Sequence, residues 1–106
     1  MSSLEEVKLA RSLATNKIQA AGKKLQDSIA NQRTRNAERY YNTVAEEFQK
    51  FEALHIKYAL IAKVDLDEAS MQQVFFDASE MVDLAETNWS VYKEQVDVRE
   101  SIARAD

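Results

Sequence analysis

The sequence predicts an all-α fold: an antiparallel three-helix bundle made of a long helical hairpin plus a third helix. Three observations carry this. The 106 residues contain no proline and one glycine, Gly22, so almost nothing in the chain breaks a helix. Apolar residues recur in alternating steps of three and four along three successive segments, the coiled-coil-like spacing that keeps them on one helical face. The pattern lapses near residues 31–36 and again at 63–68, which predicts helices of about 4–30, 35–63 and 67–99. A chain of this length forms one domain, residues 1–106.

The first helix is expected to start near Leu4, where Ser3 and Glu6 have the spacing of a capping box. Its stripe runs Leu4, Val7, Ala14, Ile18, Ala21, Leu25, Ile29, with Arg11 interrupting it. The small residues invite close approach by a partner helix that places its aromatics over Ala14 and Ala21. Gly22 costs about 1 kcal/mol relative to alanine in a helix interior, and either relieves crowding or permits a bend. Asn31 to Asn36 then contains no apolar residue, and Thr34 is an N-cap candidate. A short turn here makes the first two helices antiparallel neighbours. With neither glycine nor proline in it, one continuous long helix is the alternative.

The central stripe, Ala37, Tyr41, Val44, Phe48, Phe51, His55, Tyr58, Ala62, is the clearest in the chain, and Tyr40, Leu54 and Ile61 widen it. This segment holds five of the nine aromatic residues and is expected to organise the core. Asp65 followed by Glu68 resembles a cap for the third helix, whose stripe is Met71, Phe75, Ala78, Val82, Ala85, Trp89, Tyr92, Val96. Residues after about Ser101 are expected to fray. A second apolar line on this helix, Phe76, Leu84, Val91 and Val98, falls nearly opposite the stripe at about 100° per residue. Leu9, Leu13 and Ala20 form a fainter counterpart on the first helix. One apolar face suffices for a helix in a three-helix bundle, so the second line is the candidate interaction surface.

The residue chemistry argues against catalysis. There is no cysteine, and the single histidine, His55, lies on an apolar stripe, which leaves no Cys–His or Ser–His pair apparent. Glu52 and His55 have the Glu-x-x-His spacing of di-metal bundles, but such a site needs a second copy and two more glutamates. Asp77, Glu80, Asp83 and Glu86, spaced by threes, drift around the helix and read as a solvated face. Asp65, Asp67 and Glu68 lack the turn glycine and closing glutamate of a calcium loop, where Phe76 stands instead. Asn88-Trp89-Ser90 matches a glycosylation sequon but lies inside a predicted helix. We therefore expect a non-enzyme without cofactor or metal.

Charge is distributed unevenly. The net value is −4, yet residues 1–39 hold eight basic groups against four acidic ones, leaving +4 there and −8 beyond. That polarity favours head-to-tail association, or an anionic surface (nucleic acid or membrane) against Lys17, Lys23, Lys24, Arg33 and Arg35. No aromatic lies among these basic groups, which counts against stacking on nucleic acid. No apolar run reaches the roughly 20 residues of a membrane span, and the amino terminus has neither a leader pattern nor a myristoylation glycine, so the expected location is cytoplasmic. The expected partner is a second copy, through helix–helix self-association. The alternative is an adaptor-type module that holds another protein's amphipathic helix.

Several segments resemble a known family. Val7-Lys8-Leu9-Ala10-Arg11-Ser12, Leu25 in a lysine-bearing helix, Glu47-Phe48-Gln49-Lys50-Phe51-Glu52-Ala53-Leu54-His55, and the acidic Asp65 to Glu68 before a Phe/Tyr-rich helix are similar to the N-terminal helical region of Gag-like polyproteins of Pao/BEL-type LTR retrotransposons. The likeness covers roughly residues 4–98. It implies a structural role, in which this region helps a polyprotein, or a host protein derived from one, to assemble. The family places no catalytic residue here, so none is implied.

Overall fold

The computed structural model describes residues 3–105, and it is all-α: α1 Leu4–Ala30, α2 Thr34–Ala62 and α3 Ala69–Ala105, with no strand among the described residues. α1 starts on the expected capping box. The Glu6 N–H donates to Ser3 Oγ at 3.1 Å and the Ser3 N–H to Glu6 Oε2 at 3.4 Å, satisfying two amides that the helix itself leaves free.

The chain turns at Asn31–Arg33, so the continuous-helix alternative does not hold. Gln32 takes the left-handed conformation (φ 57°) that glycine usually supplies. The Arg33 N–H closes back on the Ser28 carbonyl at 2.8 Å and the Gln32 N–H on Ile29 at 3.0 Å, which satisfies the last carbonyls of α1. Thr34 is not the N-cap. It is already helical, the cap position falls to Arg33 without a side-chain bond, and the Thr34 hydroxyl pairs with the Tyr92 hydroxyl of α3 at 2.8 Å. α2 ends like α1, with Lys63 left-handed (φ 56°) and the Val64 N–H on the Ala59 carbonyl at 3.1 Å.

α3 begins two residues later than expected and ends six residues later. Asp65 does not cap it: its carboxylate accepts the Asp67 N–H at 2.9 Å, and the Glu68 N–H donates to the Asp65 carbonyl at 3.0 Å, so its acceptors are used within the loop. At the other end no breaker intervenes, and the segment expected to fray is helical to Ala105, with Arg104 and Glu100 one turn apart at 3.8 Å.

α3 runs antiparallel to α2. The His55 ring lies against Phe75 at 6.1 Å between centroids, and 17 residues further along α3 Tyr92 meets Thr34, 21 residues back along α2. At 1.5 Å per residue the 37 residues of α3 span about 55 Å and the 27 of α1 about 40 Å. Arg99 Nη1 donates to Gln32 Oε1 at 3.2 Å, so the end of α3 beyond Arg99 runs past the hairpin turn and lengthens the molecule to 62 × 23 × 18 Å.

The core follows the expected stripes. Phe51, Ile18, Leu25 and Val44 are its largest fully buried side chains, joined by Ala14, Ala21, Ala37, Ala78, Val82 and Ala85. Tyr41 stacks on Trp89 at 5.8 Å between ring centroids, and Phe48 packs against Phe51 and Phe75 at 5.9 Å each. The central aromatic stripe is therefore what α3 packs upon.

Candidate interaction surface

α3 buries Met71, Ala78, Val82, Ala85 and Tyr92, which turns its opposite side outward. On that side Leu84 is 54% exposed and Val91 and Val98 51% each, and Ile102 extends the line at 61%. Asp77, Glu80, Asp83 and Glu94, all exposed, flank it. Leu84 borders a cavity of about 260 Å³ between α1 and α3, shared with Ile18, Gly22, Gln26 and Met81, and Val91 borders the next one along, with Ile29 and Gln95. A β-carbon built on Gly22 meets nothing within 4 Å, so the glycine neither relieves crowding nor admits a close helix; it leaves the groove open.

Phe76 does not share this surface. It is 56% exposed, but it faces the loop end of the α2–α3 seam, where it lines a cavity of about 350 Å³ with Ile56, Leu66, Phe75 and His55. Glu52, Asp67 and Gln72 supply its polar lining. Ile56 (50% exposed) and Leu66 (43%) make this a second apolar patch, and Leu60 stands most exposed of the large apolar residues at 74%. The four-residue line expected on the third helix is thus three residues, extended by Ile102, with Phe76 belonging elsewhere. Phe76 sits eight residues before Leu84, not seven, and that single step rotates it towards α2.

The Arg11 interruption is a buried polar contact. Arg11 (8% exposed) donates from Nη1 to His55 Nδ1 at 3.1 Å, and its guanidinium carbon lies 4.3 Å from the Tyr58 ring centroid. Arginine has only donors, so Nδ1 must be the acceptor and His55 the neutral tautomer protonated at Nε2. Burial, and then the adjacent guanidinium, holds the ring below its ordinary value of 6.5, while hydrogen bonding to the Met71 backbone pulls the other way. Burial also lowers Arg11, against a smaller raising effect of Tyr58. Among the described residues Arg11 has no carboxylate partner, so a neutral ring and a π-face support its charge. Placing His55 on the apolar stripe and Arg11 on its interruption is possible from spacing alone; pairing them is not.

His55 also stacks on Phe51 at 5.5 Å, which makes it a packing residue, while Glu52 is exposed. No group of three His, Cys, Asp or Glu side chains converges as a metal site among the described residues. Asp77, Glu80, Asp83 and Glu86 all face solvent, and Asp77 accepts from Gln73 at 2.8 Å. Of the basic residues, Lys17, Lys23 and Lys24 are exposed on α1, Arg33 lies in the hairpin turn and Arg35 in the first turn of α2, and Lys24 Nζ lies 5.7 Å from the centroid of the Tyr40 ring. No described helix is long and apolar enough to cross a membrane. No protein-family model, curated protein or solved structure matches the chain.

Proposed function

We propose that this protein is a non-enzymatic, cytoplasmic assembly module that associates with further copies of itself through the outer face of α3. The carrying observation is the line Leu84, Val91, Val98 and Ile102, at least half exposed along a helix that outruns the hairpin. Covering the exposed half of each side chain is worth about 1 kcal/mol. Against the cost of immobilising two molecules, that predicts weak, concentration-dependent association. The Gag-like resemblance, which rests on sequence motifs alone, belongs to the same proposal because it implies the same work.

Val91→Asp tests it. Because Val91 is half exposed, the variant should keep the helical circular dichroism of the parent while its mass by light scattering falls to that of a monomer. A parent protein that is itself monomeric at millimolar concentration would remove the reading.

The cavity beside Phe76 favours a second reading, in which the protein is an adaptor for a partner's helix. Its apolar lining and the rim acids Glu52 and Asp67 suit an amphipathic helix with a basic flank. On that reading the parent is monomeric, binds such a peptide, and loses it in Phe76→Asp.

A further inference from the structure

Resting on the assembly reading, we infer that the surface which meets the α3 line is not the same line on a second copy but the outer face of that copy's α1, so that copies join head to tail. Charge separates the two arrangements. From residue 77 to 102, α3 carries Asp77, Glu80, Asp83, Glu86, Glu94, Asp97 and Glu100 against two bases, Lys93 and Arg99. Arg99, which borders the line at Val91 and Val98, donates to Gln32 of its own copy. At about 100° per residue Lys93 and Asp97 fall together on the side of the helix away from the apolar line, while Asp77, Glu80, Asp83 and Glu94 lie within about a quarter-turn of it. Pairing two α3 faces would bring these acids together around a small apolar seam, and like charges across an interface oppose association.

α1 has the complementary surface. From residue 7 to 26 it carries four exposed basic residues, Lys8, Lys17, Lys23 and Lys24, and no acid, the fifth base, Arg11, being buried against His55. Opposite its buried stripe, Leu9 is 63% exposed and Leu13 50%, followed by exposed Ala20. Lys17 and Lys24 lie on one side of this line and Lys23 on the other. An apolar line fenced by lysines faces an apolar line fenced by carboxylates, each small enough to need the other's charge. Lys23 of the same copy borders the groove beside Leu84, so the incoming basic helix settles towards Glu80 and Glu94, away from its host's own α1. A contact between two different faces is heterologous. Each copy keeps one free face of each kind, and assembly continues as an open chain unless the rotation closes a ring.

Two singly blocked variants test this, Leu13→Asp on α1 and Val91→Asp on α3, with Leu13→Gln and Val91→Gln as milder versions should either acid disturb folding. Each alone retains one working face and should associate at least tenfold more weakly than the parent. Mixed, they should form a complex that stops at two chains of 12.1 kDa each, because the intact α3 of one meets the intact α1 of the other. The parent's association should weaken at least several-fold between 50 and 500 mM salt (on the order of these values), as screening of exposed charge requires. If Leu13→Asp associates like the parent, the α1 face plays no part and this inference is wrong, while self-association through α3 stands. If mixing restores nothing, the contact is not head to tail. A monomeric parent overturns both readings together.

Discussion

At His55, the titration of one ring is coupled to stability by its place beside Arg11. The folded value lies below the ordinary 6.5, so as pH falls the unfolded chain takes up a proton first. Stability from this residue is complete above about pH 6.5 and is lost as pH drops from there towards the folded value, at no more than about 1.4 kcal/mol per pH unit. We expect the urea midpoint to be lower at pH 5 than at pH 7, and the gap to narrow in His55→Gln, which keeps an acceptor for Arg11 and has nothing to titrate. An unchanged gap would assign the acid sensitivity to the carboxylates. The sequence shows both partners of this contact, each on its own stripe. It does not show the contact, because 44 residues separate them and their meeting depends on how α1 slides against α2.

At the scale of the element, the helix ends put left-handed backbone where the chain has no glycine, and the one glycine sits where the helix needs none. Lys63 holds φ 56°, a conformation that costs an L-residue about 1–2 kcal/mol. Lys63→Gly should therefore raise stability by up to about 1 kcal/mol, once the extra freedom of glycine in the unfolded chain is subtracted. Gly22 lies inside α1 with open space where a β-carbon would go, so Gly22→Ala should also stabilise by about 1 kcal/mol. Chemical denaturation of both variants checks the pair, and a loss in Gly22→Ala would mean that the open groove serves the fold. The same misplacement is why the hairpin turn is faint in the sequence. The turn Asn31–Arg33 lacks its usual glycine and is closed by backbone bonds to Ser28 and Ile29, which leave no mark on composition.

For the whole molecule, one thin core holds three long helices together. Phe51 is completely buried at its centre and touches the rings of Phe48, His55 and Phe75. Phe51→Ala should cost about 3–5 kcal/mol. That is much of the total stability of an ordinary small domain, so thermal melts should show the variant largely unfolded near 37 °C. If the melt shifts by only a few degrees, the helices draw their stability from assembly more than from this core. The same elongation that makes the core thin leaves the outer face of α3 uncovered from Leu84 to Ile102, and this is where the functional reading rests.

By itself the sequence determined the helical class, the three stripes, the capping box at Ser3 and the aromatic centre. Each depends on residues within a turn or two of one another, and helical periodicity is written at that range. Only the tertiary structure decided that Arg11 pairs with His55, that Thr34 serves Tyr92 and not its own helix, and that Phe76 parts company with Leu84, Val91 and Val98. Those outcomes depend on the register and rotation of one helix against another, which are set by the joint packing of side chains far apart in the chain.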